Sequence, residues 1–405
     1  MRFLTCLLCC ILLSGCRGTG VQTVADNSSP ETAGATASSS QQRQFENAIA
    51  RKILSMVKAD LPGIPARERP GYLARQIRQI EAAVDLGLLT SSTRVEYDIL
   101  RYLSTHPPGS PAADFPTTIR QLTSLDDSLD KHERRLSEEL TRLDLTIGAL
   151  AAKNPAAFDV SVHMQQVRER TAYPADTFEG RQTWLDALSR AMFEMQIDWH
   201  SLLQTYPPSA LEVSGTENSR QTLAYRRGHL HVDLTRVTDL PLFEVRALAA
   251  YYGYPGLQSL VKSGGRAQGL QAFLYLPAYS LGWAAYITEY IASRETRHTL
   301  DYLYFLKTLA ALAMVDLKLG QDKWTADEAL DYLVTSTPYS RHRLRLWMDN
   351  LLENPGIYLA GTLGKLEFVR IHQRCMVTQG RCDAAFHQKI VDLEPVPFEV
   401  LKTRL

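Results

Sequence analysis

Three polar residues on a two-residue period are the first candidates for chemistry. His229, His231 and Asp233 stand at i, i+2 and i+4. In a strand that spacing turns all three side chains to one face, and two imidazoles with a carboxylate could hold a zinc ion. The plainer reading is the solvated polar face of an edge strand. His132-Glu133 opens the run HERRL. It lacks the second histidine of H-E-x-x-H and reads as the surface of a charge-rich helix. Cys375 and Cys382 flank MVTQGR, whose Gln-Gly can turn the chain. An oxidising compartment favours pairing them; two free thiols are the alternative. No G-x-S-x-G nucleophile motif occurs, and no catalytic residue is assigned. Ser263-Gly264-Gly265-Arg266 and Gly269 could offer helix-opening amides to an anion, or simply start a helix. Tyr251, Tyr252, Tyr254, Trp283 and Tyr286 make the middle of the chain aromatic. They suit either a peptide- or glycan-binding cleft or the filling of internal volume.

The N-terminus carries a different chemistry. Arg2 precedes an apolar stretch from Phe3 to Leu13, followed by Leu13-Ser14-Gly15-Cys16. The stretch is shorter than the roughly 20 residues a membrane-spanning helix needs and suits a signal peptide. Its end resembles the bacterial lipobox, in which the cysteine thiol is acylated and becomes the first residue of the mature chain. Residues 1–15 are therefore expected to be removed and Cys16 to carry lipid. Arg17, rather than Asp, at the next position favours the outer membrane, facing the periplasm. Residues 16–42 are rich in Ser, Thr, Ala, Gly and Gln and read as a disordered tether.

The elements that must position these residues are mostly helical. Apolar residues recur with helical spacing over 43–60 (Phe45, Ile49, Ile53, Leu54, Val57), 70–88, 115–150 (Leu122, Leu125, Leu129, Leu136, Leu140, Leu143, Leu145) and 180–204. Helices are expected again over 241–252, 267–294, 298–319, 325–336, 339–352, 356–374 and 383–392, the stripe from Tyr302 to Ala313 being core. Residues 222–234 alternate and suit a short β-hairpin. The body is thus 43–405, a multi-helical scaffold with one small β-hairpin or sheet element, in halves 43–208 and 209–405. The 44 Lys and Arg balance 44 Asp and Glu, so nothing points to a nucleic-acid partner, which would need a basic stripe.

From about residue 210 the order of motifs resembles the bacterial domain-of-unknown-function family 885, a zinc-peptidase-like, mainly helical family. Four stretches carry the resemblance. Residues 222–234 and Leu242-Phe243-Glu244-Val245 lead to Tyr251-Tyr252-Gly253-Tyr254-Pro255-Gly256-Leu257, where the family has H-E-x-x-P-G-H. Leu281-Gly282-Trp283-Ala284-Ala285-Tyr286 stands against E-G-W-A-L-Y. Trp324-Thr325 to Tyr332 resembles G-W-T-x-x-x-A-x-x-Y. Asn354-Pro355-Gly356 and Gly364 precede a tail with Phe386-His387 and Pro397-Phe398. Carried over by position, Tyr251 and Leu257 replace the histidines, Tyr252 the glutamate base and Leu281 the glutamate of E-G-W. Ile357 and Gly361 replace the glutamine and tyrosine of P-G-Q-x-x-S-Y. A leucine cannot hold zinc, and tyrosine is a poor substitute for imidazole at neutral pH.

The resemblance implies a metallopeptidase-like scaffold emptied of its metal site, hence no cofactor and a non-catalytic binding or scaffold role. Its partners would be the membrane, through the lipid, and an envelope protein or peptide. A metal-dependent hydrolase with a relocated site at His229, His231 and Asp233 is the alternative.

Overall fold

The computed structural model describes residues 30–108, 114–152, 158–205, 211–216, 223–226, 228–261, 269–382 and 384–405. The signal segment 1–15, Cys16, the first part of the tether and the glycine-rich run 263–266 lie outside the described residues. One unit comprises residues 1–45, and the body is Glu46–Leu405.

Helix α1 (Pro30–Asp60) begins inside the stretch expected as tether. Its buried face is Ala50, Ile53, Leu54 and Val57, while Phe45, expected on that stripe, is exposed. Then follow α2 (Arg69–Ala83) and α3 (Ser91–Thr105). Helix α3 was not expected, although Thr90 caps it and Val95, Ile99, Leu100 and Leu103 form its buried face.

The span 115–150 is two helices, α4 (Phe115–Thr123) and α5 (Leu129–Ala151). Ser124 is left-handed at φ 55°, the Thr123 hydroxyl donates to the Ile119 carbonyl at 2.6 Å, and Ser128 caps the new start. Continuous leucine spacing concealed this break. Leu145, expected on the apolar side, is exposed. After α6 (Val160–Arg170), also unforeseen, comes α7 (Phe178–Asp198).

The β element is larger than a hairpin. Strands β1 (Glu212–Thr216), β2 (Leu223–Arg226) and β3 (His229–Asp233) form a sheet in the order β1-β3-β2, with β1 parallel and β2 antiparallel to β3. Leu230 and Val232 are buried, so the intervening polar residues take the other face.

The C-terminal half adds α8 (Val245–Tyr252), α9 (Pro277–Ala292), α10 (Thr299–Gly320), α11 (Ala326–Ser336), α12 (Arg341–Glu353), α13 (Ile357–Gln379), α14 (Ala384–Leu393) and α15 (Phe398–Lys402). Helix α9 starts about ten residues later than its apolar pattern, because Pro277 fits the first turn and has no N–H for an interior position. Helix α10 is apolar nearly all round and buried from Tyr302 through Leu317 apart from Leu309, with Asp316 and Lys307 as buried charged residues in its apolar run. Helices α9 and α13 form the most extensive helix pair. Their crossing is glycine on glycine: a Cβ on Gly282 would lie 2.5 Å from the Gly364 carbonyl carbon, and one on Gly364 1.8 Å from the Ala278 oxygen. Only hydrogen side chains let the backbones meet this closely.

Candidate functional site: an uncharged cavity at the α8, α9 and α13 crossing

Three anchors set the walls of the site. Helix α8 ends at Tyr252, and the chain folds back so tightly that a Cβ on Gly256 would sit 2.2 Å from the carbonyl oxygens of Ala250 and Tyr251. The indole N–H of Trp283 donates to the Pro255 carbonyl at 3.1 Å and the Ser259 hydroxyl at 3.0 Å, pinning this turn to α9. The third anchor is the start of α13. The Asp316 carboxylate accepts from the backbone N–H of Gly356 at 2.7 Å, Tyr358 at 3.1 Å and Leu359 at 3.1 Å. Burial pushes Asp316 up to about 7, with those donations pulling the other way. Gly356 itself takes φ 91°, a left-handed conformation that favours glycine.

Between these walls lies a cavity of about 510 Å³, within the roughly 300–1,000 Å³ of small-molecule sites. Tyr251, Tyr252, Leu257, Leu281, Ile357 and Gly361 all line it. These are the positions at which the sequence departs from the zinc-peptidase-like pattern, and the fold brings all of them to one place. Among the described lining residues there is no His, Cys, Asp, Glu, Lys or Arg. Burial drives the Tyr251 phenol well above its ordinary range and Tyr252 up to about 12. Both stay protonated, the opposite of what a metal ligand requires. The residues present therefore do not fit a catalytic zinc.

The other cleft candidates lie elsewhere. Tyr254, Trp283 and Tyr286 are buried and absent from the lining. The Tyr254 hydroxyl donates to the His200 carbonyl at 3.3 Å, and Tyr286 shares a 2.9 Å hydrogen bond with His387 Nε2. Helical rotation separates them: Leu281 and Ala285 face the cavity from α9, whereas Trp283 and Tyr286 face the core. Sequence reasoning missed Trp347, Asn350, Asn354 and Tyr358, which complete the polar and aromatic lining. The Asn-Pro-Gly turn signalled one of them. Behind Trp347 sits a fully buried ion pair. Arg343 Nη2 donates to Glu244 at 2.8 Å, and the guanidinium lies 4.9 Å from the Trp347 ring centre. Burial pushes Glu244 up to about 7 against the pull of Arg343.

The proposed relocated triad does not assemble. The rings of His229 and His231 share a face of β3, stacked 6.4 Å apart. His231 Nδ1 is 2.8 Å from the Ser214 hydroxyl, His229 Nδ1 is 3.1 Å from Glu212, and Asp233 accepts from the Thr235 N–H at 3.0 Å and hydroxyl at 2.7 Å. Among the described residues no group of three or more His, Cys, Asp or Glu could hold a metal ion. Strand β3 is also the middle strand, not an edge. His132, expected at the surface, is fully buried, and neither ring nitrogen has a hydrogen-bond partner. Burial pushes it down to about 4. Glu133 does reach the surface pairs, with Lys318 at 2.6 Å and Lys323 at 3.2 Å. Cys375 and Cys382 are joined by a disulfide, Cα atoms 6.0 Å apart.

Residues 26–405 match the family described as "Bacterial protein of unknown function (DUF885)". The chain belongs to this family. The match extends well beyond the C-terminal half that carried the motifs, so the N-terminal helices are part of the DUF885 body. Among curated proteins nothing matches. Two solved structures share the fold. "The crystal structure of the putative lipoprotein from Colwellia psychrerythraea" aligns with TM-score 0.62 and 17% identity over 89% of this chain and 73% of that one. "The structure of a putative lipoprotein of unknown function from Shewanella oneidensis" aligns with TM-score 0.56 and 12% identity over 86% and 69%. Among the described residues no helix is long and apolar enough to cross a membrane.

Proposed function

We propose that this DUF885 member is a lipid-anchored, non-catalytic binding protein of the bacterial envelope. It would be held at the outer membrane through Cys16, face the periplasm, and offer its central cavity to a ligand or to part of an envelope partner. One observation carries the reading. Every position where a zinc ligand or general base would be expected lines a single cavity, and none supplies a group that can do that work. A metal-dependent hydrolysis would need about three ligands and an open site for water. The Leu13-Ser14-Gly15-Cys16 sequence supports the anchor, and both solved neighbours carry the word lipoprotein in their descriptions.

The test is the metal content of the protein from residue 16 onward, carrying Cys16→Ser and dialysed with micromolar zinc. The expected result is substoichiometric zinc, unchanged in the His229→Ala/His231→Ala variant. Near-stoichiometric zinc would overturn the reading. Wild-type chain in the membrane fraction and the Cys16→Ser chain outside it would support the anchor.

A further inference from the structure

Resting on the reading of the cavity as a binding site, its chemistry selects the ligand. The lining combines aromatic and aliphatic faces with hydroxyls and amides, and its described residues carry no ionisable side chain other than tyrosine. An ion entering such a site would lose its hydration and find no counter-charge, which costs several kcal/mol. Charged groups do lie close by, but Arg343 and Glu244 are paired with each other behind Trp347.

The phenols divide into two kinds. Tyr225 donates to the Gln258 side chain at 3.1 Å, and Tyr358 to the Asn350 side chain at 3.3 Å. Their hydrogen atoms are committed within the protein. Tyr251 and Tyr252 meet edge to face with ring centres 5.0 Å apart, and their interactions are ring contacts and longer-range fields, without a hydrogen bond to a described residue. Tyr251 is only 6% exposed, yet its hydroxyl is not among the sealed, unsatisfied polar atoms of the interior. It opens on the cavity. A buried donor without a partner is costly, and a ligand acceptor would relieve that cost. Tyr275, 71% exposed, stands at the rim and gives an aromatic entry.

The geometry points to an uncharged ligand with an apolar or aromatic body and a carbonyl-type acceptor, held by hydrogen bonds from Tyr251 and Tyr252. Amides, esters and ketones share this chemistry. No bond is made or broken; the site binds.

The experiment uses the same Cys16→Ser chain and two fluorescent naphthalenes of similar size. One is 6-propionyl-2-(dimethylamino)naphthalene, a neutral ketone, and the other is 8-anilinonaphthalene-1-sulfonate, an anion. Ser280→Trp, at the half-buried rim, blocks the cavity. The expected result is saturable binding of the ketone, abolished by Ser280→Trp, at least tenfold tighter than the anion. Tyr251→Phe and Tyr252→Phe should each weaken the ketone about tenfold, the effect of one hydrogen bond to a buried donor. Unchanged far-ultraviolet dichroism and melting would show that these variants fold. Equal binding of both probes, both blocked by Ser280→Trp, would overturn the neutral-ligand inference and leave the cavity reading standing. Ketone affinity unchanged in both phenylalanine variants would overturn the assigned hydrogen bonds. Saturable binding of neither probe would overturn the cavity reading itself.

Discussion

Helices α9 and α13 each carry two contrasting environments one turn apart. Ala285 and Gly361 face a cavity whose described lining has no acid or base. Four residues on, Glu289 and Lys365 enter a dense charge network. Lys365 pairs with both Glu139 and Glu289, while Arg142 lies 2.8 Å from Glu139 and 2.6 Å from Glu289. Burial pushes the Glu139 carboxyl up, but Lys365 and Arg142 outweigh it and hold it below the usual range. The fold therefore accepts buried charge readily where charges neutralise one another. The cavity differs because its side chains offer no such pairing, and this is what suits it to an uncharged occupant.

That contrast can be broken by removing one member of the network. Lys365→Met strands Glu139 and Glu289 with Arg142 as their remaining close cation. Uncompensated buried charge typically costs about 3–5 kcal/mol, and urea unfolding at neutral pH should read a loss of that order. A loss below about 1 kcal/mol would mean the network is far better hydrated than its burial implies.

A second perturbation uses pH at His132, the buried imidazole outside the network. Its folded value near 4 lies below the ordinary 6.5. The unfolded chain therefore binds the proton more readily, and the stability from keeping this group neutral is present above pH 6.5. It is lost as pH falls toward 4. The shift corresponds to something on the order of 3 kcal/mol. Stability measured from pH 7 to pH 4 should fall less steeply in His132→Leu than in the wild type. Parallel slopes would remove His132 as a source of acid sensitivity.

The gentlest change is on the cavity side. Tyr251→Phe deletes a hydroxyl that makes no hydrogen bond to a described residue, so the ligand-free protein should change by about 1 kcal/mol or less. A larger loss in thermal unfolding would show that the hydroxyl holds the structure together and is not held open for a ligand.

Much of the frame was legible because it rests on local physics. Gly256, Gly282, Gly356 and Gly364 stand in the motifs that carry the family resemblance, and the fold places them at tight turns and close crossings. Helical periodicity located α10 and α12. It failed where a local cap overrode it, at Ser124 between α4 and α5, and where a polar start hid a short amphipathic helix, at Thr90 before α3. Cleft membership was harder. Tyr251 and Tyr252 do line the cavity, whereas Tyr254, Trp283 and Tyr286 hold the core, because aromatic residues look alike in sequence and only their rotation about α9 and the 253–260 turn assigns them a side.

The amino-acid sequence alone established the helical class, the lipobox-like N-terminus and the identities of Tyr251, Leu257 and Leu281 where the family resemblance implied zinc ligands, since residue identity and short spacing suffice for these. Only the tertiary structure decided that those positions share one cavity with Ile357 and Gly361. It also decided that His132 is buried and that His229, His231 and Asp233 are engaged with separate neighbours. Each of these depends on contacts between residues far apart in the chain, and long-range packing leaves no periodic trace in a single sequence.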